Sequence, residues 1–341
     1  MGNGRWNLTV KVYNEQSDKL LTKELEELLT NFRKKRNFNV KEYIDKKADL
    51  LNRYMSKSGL TACVVAISGG IDSAVVLGLV NYASKKENSP IQKIIPMLLP
   101  ILKSTGVTNQ SEATERGKEL CESLGIKPYV IDLTDVNNRI RECLEPVLGI
   151  TGEDWAIGQL GPYSRTPMLY YTTSLLNQAG FGAIVCGTTN KDEGAYLGYV
   201  GKASDGMVDV QIISDIHKSE VYKVAEELSI PKSIIDVIPT GDMYDNRNDE
   251  MVFGASYDFV EIYLNYLAME DEEKKNLYAK LSEESKAQFD FYAKNLENLH
   301  RYNQHKYISK SPAVHLDLYD SSVKGGWDNY YEVTKAWMES L

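Results

Sequence analysis

The chain has 341 residues, of which 43% are hydrophobic and 26% are charged, and its formal net charge is −9. This composition is typical of a globular protein and excludes disordered, collagen-like and small disulfide-rich chains. The acidic balance leaves no surplus of positive charge for a phosphate backbone, so it argues against nucleic acid as a partner.

The first forty residues differ in pattern from the rest. Apolar and polar residues alternate over positions 6–12, which predicts one strand, and the charged stretch 19–35 predicts a helix and a loop. Asn39 is followed three positions later by Glu42, a pairing typical of the start of a helix. We expect that helix to end near Gly59.

From residue 60 onward, short apolar runs alternate with amphipathic segments. Runs of strand length cover 60–67, 93–99, 128–133 and 183–186, and helical periodicity covers 72–86, 109–124, 168–178 and 218–228. This alternation predicts an α/β fold: a doubly wound parallel sheet with helices on both faces. Ligands bind beyond the carboxyl ends of such strands, which directs attention to the loops after Ile67, Leu99, Leu133 and Cys186.

The cysteines and the apolar runs restrict the compartment. The four cysteines form no C-x-x-C pair and have no histidine at metal-ligand spacing, so a zinc or redox site is not expected. Their sparse use favours a reducing cytosol. No stretch approaches the roughly 20 apolar residues of a membrane span, and positions 1–16 lack the apolar region of a signal peptide. We therefore expect a cytoplasmic protein with no membrane association.

The string SGGIDS at residues 68–73 follows the first core strand and leads into a helix. Its glycines let the backbone approach an anion, its hydroxyls donate to that anion, and the helix N-terminus supplies further N–H groups. Asp72 adds negative charge where phosphate would bind, a conflict that a shared Mg²⁺ would resolve. A glycine turn with an aspartate helix cap is the structural alternative. No Walker or Rossmann glycine fingerprint occurs.

This string resembles the pyrophosphate loop of the N-type ATP pyrophosphatases, and further strings resemble the NAD synthetases within that family. They are GTTNKDE at 187–193, GYVGKASDGMVD at 198–209, Lys218, PTGD at 239–242, a DE…YD segment at 249–258 and HK at 305–306. The resemblance covers about 40–312. We therefore expect one catalytic domain over 40–312 with a Rossmann-like sheet, an N-terminal extension over 1–39 and a C-terminal tail over 313–341.

The resemblance implies a two-step amidation. The carboxylate of nicotinic acid adenine dinucleotide attacks the α-phosphate of ATP, pyrophosphate leaves, and ammonia then displaces AMP to give NAD. ATP is thus the implied co-substrate, Mg²⁺ the implied cofactor and a homodimer the implied assembly. The roughly sixty residues before the loop are too few for an average-sized glutamine-hydrolysing domain, so we expect ammonia from solution or from a separate protein.

The resemblance also implies roles for individual residues. The ATP site is expected to comprise Ala66, Ile67, Ser68, Gly69, Gly70, Ile71, Asp72, Ser73, Thr188, Lys218 and Thr240. Asp72 and Glu193 are the expected metal ligands, and Asp72 and Lys218 the expected catalytic residues. The expected contacts of the acid substrate are Arg165, Lys202, Asp209, His305 and Lys306.

Two other functions stay open at this point. One is a different N-type ATP pyrophosphatase, such as a GMP-synthetase-like or base-modifying enzyme, that acts on another acid or carbonyl. The other is a non-catalytic nucleotide-binding homologue. Pro167 favours the second, because it stands where the family has an arginine and removes a substrate-side charge. We read this proline as setting the first turn of the helix over 168–178. The loop 103–110 also lacks the adenine-side string that the family would have.

Overall fold

A parallel sheet runs through the computed structural model, which describes residues 20–102, 109–240, 247–303, 306, 314–324, 326, 331 and 335. In those residues its strands are β1 (Ala62–Ala66), β2 (Lys93–Leu98), β3 (Tyr129–Val130), β4 (Ala183–Gly187), β5 (Val210–Gln211) and β6 (Val314–His315). All neighbours pair in parallel, in the order β3-β2-β1-β4-β5-β6. The predicted doubly wound α/β fold is confirmed.

Helices connect and flank these strands. In the same residues they are α1 (Lys23–Arg36), α2 (Val40–Lys57), α3 (Ile71–Ser84), α4 (Asn109–Leu124), α5 (Thr134–Leu148), α6 (Asp154–Gln178), α7 (Lys191–Gly194), α8 (Lys218–Glu227), α9 (Lys232–Ile235), α10 (Asp249–Phe253), α11 (Tyr257–Leu267), α12 (Asp271–Lys280) and α13 (Glu283–Asn303). None of these helices is both long and apolar enough to cross a membrane.

The predicted helix start at Asn39 is confirmed in its details. The Asn39 side chain accepts a hydrogen bond from the backbone N–H of Glu42, 3.2 Å away, as expected for a helix cap. The helix ends at Lys57, and Gly59 follows with a φ of +65°. The predicted strand over 6–12 lies outside the described residues.

The prediction for the helix before β4 was wrong about its start. The helix α6 begins at Asp154, fourteen residues before the predicted start, so Pro167 lies inside it and does not set its first turn. Only Ser164, Leu169 and Thr173 are buried along its 25 residues. Because so few of its side chains face the core, its N-terminal half carries little of the apolar periodicity by which a helix is recognised.

Two layers of helices cover the sheet. On one face α2, α3 and α8 pack over a buried cluster that includes Leu51, Val76 and Val221. On the other face α6 lies against β1 and β4, where Leu169 and Val185 are buried. Both faces are therefore dry, which explains why the central strands are continuous apolar runs.

A third buried cluster packs the helix α1 against the helices α11 and α13. Leu25 and Leu29 of α1 are buried against Phe259 of α11 and Leu296 of α13. At the other end of the chain, β6 extends the sheet beyond β5. The segments before residue 40 and after residue 312 thus include elements that pack on the rest of the fold.

The strand order reverses direction between β1 and β4, because β2 and β3 lie on one side and β5 and β6 on the other. In an open parallel sheet this switch point leaves a crevice at the carboxyl ends of the two strands. The loops that begin at Ser68 and at Thr188 meet there, so the fold brings together two of the strings singled out from the sequence.

Gly69 in the first of these loops has a φ of +78°, and a methyl group on its Cα would meet the backbone carbonyl of Ala113 in α4. We expect Gly69→Ala to lower the free energy of unfolding by about 1–2 kcal/mol through backbone strain. The overlap with Ala113 should add about 1–3 kcal/mol. Urea denaturation measures both contributions together.

Gly125 is the matched control, since its φ is +69° and a Cβ there would meet no atom within 4 Å. Gly125→Ala should therefore show the strain alone. Equal losses of stability in the two variants would contradict the close approach of α4 to the loop.

Candidate active site

The loop after β1 is closed by its own serines. The Ser73 hydroxyl lies 3.2 Å from that of Ser68 and donates to the carbonyl of Gly70 at 3.0 Å. Gly70 is the residue before α3, and no side chain caps this helix. The first N–H groups of α3 therefore face the crevice, an arrangement that suits an anion.

Asp72 lies in the first turn of the same helix and points toward the end of β4. The side-chain amide of Asn190 donates to Asp72 Oδ1 and to Glu193 Oε1, at 2.8 Å in each case. Asn190 also caps α7, because its side-chain oxygen accepts from the N–H of Glu193 at 3.0 Å. One amide thus holds two carboxylates from two different strand ends close together.

Lys218 completes this group from the start of α8. Its Nζ lies 2.6 Å from Asp72 Oδ2 and 3.1 Å from Glu193 Oε1. The lysine side chain is 3% exposed, whereas those of Asp72 and Glu193 are 19% and 14% exposed. The cation is therefore buried behind two carboxylates that still reach the crevice.

A third carboxylate and two tyrosines close the group from the side of α10 and α11. The hydroxyl of Tyr257 donates to Glu193 Oε1 at 2.9 Å and lies 2.8 Å from Asp249 Oδ2. The hydroxyl of Tyr199 donates to Asp249 Oδ1 at 3.0 Å. Asp249 is 4% exposed and each of its oxygens lies within hydrogen-bond distance of a phenol, but the single proton of Tyr257 can serve only Glu193 or Asp249 at one time.

Burial and mutual charge shift the pKa values in this group. Burial raises the pKa of Glu193 to about 8, against the attraction of Lys218 and with the repulsion of Asp72 and Asp249. Burial also raises the pKa of Asp249. For Lys218, burial alone would lower the pKa, but the three carboxylates outweigh it and raise the pKa above its ordinary value. Lys218 is therefore a permanent cation at neutral pH.

The donor chemistry of this group fits a magnesium ion. Carboxylate oxygens are the ligands that Mg²⁺ takes from proteins, together with water and substrate phosphates. Asp72 and Glu193 are partly open to the crevice. In the described part of the chain no three His, Cys, Asp or Glu residues are grouped so as to hold a metal alone. A site with two carboxylates would therefore need oxygens from its substrate.

The structure thus brings together three residues that the sequence singled out, Asp72, Glu193 and Lys218. It also adds residues to which sequence reasoning assigned no role. Asn190, Tyr199, Asp249 and Tyr257 are these additions, and all four lie within strings quoted for the family resemblance. The signal for them was present, but their hydrogen bonds to one another join distant parts of the chain.

The expected ATP contacts follow the two strands. Ala66 ends β1 and Ile67, which follows it, is buried. Thr188 directly follows β4 and is half-buried, and Thr240 is exposed beyond α9. Gly241 and Asp242 lie outside the described residues.

The residues expected to contact the acid substrate lie on other loops. The Arg165 Nε donates to the carbonyl of Leu99 at 3.2 Å, and Lys202 is exposed. Asp209 accepts a hydrogen bond from the backbone N–H of Val185 at 2.7 Å, so this carboxylate is bonded to the main chain of β4.

The C-terminal pair is described in part. Lys306 donates to the carbonyl of Gly198 at 2.7 Å, and burial lowers its pKa to about 8. His305 lies outside the described residues.

Comparisons of the sequence with known proteins all indicate the same family. A family model described as NAD synthase matches residues 43–309. An NH(3)-dependent NAD(+) synthetase of Methanococcoides burtonii is 33% identical over 230 residues, which are 67% of this chain and 81% of that protein.

Two solved structures are similar in fold. An NMN synthetase from Francisella tularensis is 24% identical, with a TM-score of 0.62 over 79% of this chain and 96% of that one. An NH3-dependent NAD synthetase from Campylobacter jejuni is 22% identical, with a TM-score of 0.57 over the same shares. At these identities the two structures support the fold.

The raised pKa of Glu193 predicts a pH dependence of stability in metal-free buffer. Between about pH 5 and 8 the folded protein keeps a proton on Glu193, whereas the unfolded chain, with a pKa near 4.5, has lost it. This contribution to stability is complete below the unfolded pKa and is lost as the pH rises through about 8.

We therefore expect Glu193→Gln, which cannot titrate, to lose less stability than the wild type between about pH 5 and 8. Urea denaturation at the two pH values, with a chelator present, measures the difference. Glu283→Gln, at a side chain that is 93% exposed, controls for the loss of one carboxylate. Parallel pH profiles for Glu193→Gln and the wild type would contradict the burial of this charge.

Proposed function

The chain belongs to the NAD synthase family, and we propose that it amidates nicotinic acid adenine dinucleotide with ammonia through an adenylylated intermediate, releasing AMP and pyrophosphate. Members of this family are ligases that make NAD with consumption of ATP. The observation that carries the proposal is the position of Lys218 between Asp72 and Glu193 at the carboxyl ends of β1 and β4.

The triphosphate of ATP has a matching set of donors in the loop after β1. The N–H groups at the start of α3 and the exposed hydroxyl of Ser68 are the polar groups that the loop presents, while the buried hydroxyl of Ser73 holds the loop closed. The backbone of Gly70 is only partly buried and is open to close approach of a phosphate, whereas Gly69 is buried against Ala113. We assign the β- and γ-phosphates to this loop, which leaves the α-phosphate toward Lys218.

Asp72 and Glu193 would hold the magnesium ion. When bound, such an ion neutralises charge on the phosphates and stabilises the charge that develops as pyrophosphate leaves. Lys218 adds a fixed positive charge beside it, and because its pKa is raised it acts by electrostatics and not as a base. Tyr257 and Asn190 orient Glu193, so that the carboxylate keeps one position while phosphates bind and leave.

The acid substrate is proposed to bind near Arg165, Lys202, Asp209, His305 and Lys306, as the family resemblance implies. Lys306 is protonated below its pKa of about 8 and can then attract a carboxylate or a phosphate. Asp209 has a second function in this structure, since it holds the N–H of Val185. Ammonia is proposed to enter from solution or from a separate protein, and a cytoplasmic location stays a prediction.

A direct assay tests the proposed reaction. Purified protein with ATP, Mg²⁺, ammonium and nicotinic acid adenine dinucleotide should form NAD, AMP and pyrophosphate in equal amounts. Release of ADP and phosphate, or no NAD at high enzyme, would contradict the proposal. The corresponding mononucleotide acid belongs in the same assay, because the similar Francisella structure is named for NMN. Faster turnover of the mononucleotide acid would show that it is the preferred substrate, while the proposed reaction, amidation through an adenylylated acid, would be unchanged.

Asp72→Asn tests the role of the carboxylates within that assay. The amide keeps the size of the side chain and can still face Lys218, but it cannot neutralise a divalent cation. We expect kcat to fall by about 10²–10³-fold while the urea midpoint changes little. Asp45→Asn on α2 is the control, because that carboxylate is exposed and bonds to Lys86 away from the crevice. Turnover within about twofold of the wild type for Asp72→Asn would contradict the metal assignment.

The proposed homodimer has a candidate surface at the end of α5. The apolar side chains of Leu144, Val147, Leu148, Ile150 and Trp155 are between 54% and 83% exposed along this continuous stretch of chain. Several exposed apolar side chains on one short stretch are typical of an interface. A second copy of the chain is the partner that the family resemblance implies.

Val147→Asp should therefore shift the protein from dimer to monomer, because it places a charge on the most exposed member of the patch. Sedimentation at micromolar concentration measures the mass. Leu20→Asp, at a side chain that is 87% exposed before α1, is the matched control and should leave the dimer intact. A monomeric wild type, or a Val147→Asp variant that stays dimeric, would contradict this surface.

A further inference from the structure

Arg36 ends the helix α1, seven residues before the part of the chain that matches the family. Its side chain is 14% exposed, and its Nε donates to Glu220 Oε1, whose side chain is 4% exposed. Its Nη2 donates to the carbonyl of Asp215 at 2.7 Å, and its guanidinium lies 4.5 Å from the centre of the Tyr319 ring. A residue before the matched part of the chain thus inserts a buried cation into the loop before α8.

Glu220 connects this cation to the start of α8. Its second oxygen accepts from the backbone N–H of His217 at 3.0 Å, the bond that closes the first turn of the helix. Lys218 is the first residue of that turn. The carboxylate of Glu220 is therefore held on one side by Arg36 and on the other by the residue next to Lys218.

Asp192 fixes the opposite side of the same turn. One of its oxygens lies 2.6 Å from Nδ1 of His217, and the other accepts from the backbone N–H of Lys218 at 2.7 Å. Asp192 immediately precedes Glu193 in α7. Asp192 and Glu220 thus fasten the first turn of α8 from two sides, and the carboxylate at position 220 is bonded to a residue outside the matched part of the chain.

We propose that Arg36 is a positioning residue for the amidation reaction, and that it acts through Glu220 to hold Lys218 at its place between Asp72 and Glu193. The inference rests on the proposed function, because the reaction is what reports the position of Lys218. Arg36 touches none of the groups assigned to ATP or to the acid.

Loss of Arg36 has a defined physical consequence. Glu220 would lose the cation bonded to it and keep its negative charge in a buried place, where Lys191 attracts it without a bond, and a protein relieves such a state by moving the carboxylate toward water. That movement would pull on the N–H of His217 and displace the first turn of α8. A displacement of about 1 Å at a charged group facing the reacting phosphate costs up to about 10²-fold in rate.

The test is a double-mutant cycle in the NAD-forming assay, run at a temperature where every variant is fully folded. The variants are Arg36→Met, Glu220→Gln, the double variant and the control Lys35→Met, which removes a charge from an exposed position of the same helix. For each variant, kcat and the KM values for ATP and for the acid are measured. Urea denaturation of the same samples records the effect on stability separately.

We expect Arg36→Met to lower kcat by about tenfold or more, with the KM of the acid within about twofold of the wild type. Glu220→Gln should lower kcat as well. The kcat of the double variant should lie within about twofold of the kcat of the less active single variant. Lys35→Met should match the wild type. If Arg36 only stabilised the fold, Arg36→Met would lower the urea midpoint and leave kcat unchanged.

Arg36→Lys covers the case in which Arg36→Met does not fold. It keeps the charge beside Glu220 but cannot place two nitrogens on Glu220 and Asp215 with the same geometry. We expect kcat to fall by about three- to tenfold with a nearly unchanged urea midpoint. Either single Arg36 variant with kcat within about twofold of the wild type, or effects that multiply in the double variant, would overturn the inference.

The two proposals fail differently in these experiments. A wild type that forms no amide from either acid, neither NAD from the dinucleotide nor NMN from the mononucleotide, contradicts the proposed function itself. A wild type that is active, together with Arg36 variants of unchanged kcat, contradicts the role of Arg36 and leaves the proposed function standing.

Discussion

The burial of one cation, Lys218, among three carboxylates is the interaction on which the site depends. Asp72, Glu193 and Asp249 come from the first turns of three separate helices, and their negative charges would repel one another strongly if all three were ionised in a nearly dry crevice. Lys218 offsets part of that repulsion, the amide of Asn190 donates to Asp72 and Glu193, and the phenol of Tyr257 donates to Glu193. Charge is left over, and in our account a cation brought with a polyphosphate substrate neutralises it.

Positioning this group requires more of the chain than the residues that touch one another in it. Lys47 Nζ lies 3.0 Å from Asp215 Oδ1, and this buried ion pair fixes the loop before α8. The same lysine donates to the carbonyl of Leu316 near β6. Arg36 contacts the same loop from α1. Arg36, before the part of the chain that matches the family, and Leu318, after it, therefore both bond to Asp215 in the segment that leads to Lys218. Buried ion pairs of this kind contribute little net stability but are costly to break, which suits them to fixing one geometry.

Much of the fold followed from the sequence, because β1, β2 and β4 are apolar on both faces and their helices have a clear period. Two of the shorter elements did not follow, because β5 and β6 have two residues each and are too short to show any alternation. The strand predicted over 128–133 is present as β3, but only Tyr129–Val130 pair, at a half-exposed edge of the sheet. The long helix α6 was predicted to begin only at 168 because Pro167 was read as setting a first turn, and few side chains of its N-terminal half are buried.

The site divided in the same way. Asp72, Glu193 and Lys218 could be predicted, since each follows a strand or begins a helix within a recognisable string. Asn190 contacts Asp72 and Tyr257 contacts Glu193, and in both cases the partner is more than fifty positions away. Asp249 joins the group through its contact with Tyr257. No local sequence pattern reports such contacts. The position of Arg36 was invisible for the same reason, because its partner lies 184 residues away.

One isotope experiment tests the central claim, that this crevice activates a carboxylate by transfer of AMP. The acid substrate is labelled with ¹⁸O in both carboxylate oxygens, turned over once, and the products are analysed by mass spectrometry. The account predicts one ¹⁸O in the phosphate of AMP, one in the amide of NAD and none in pyrophosphate. AMP without the label, or the label in inorganic phosphate, would contradict it.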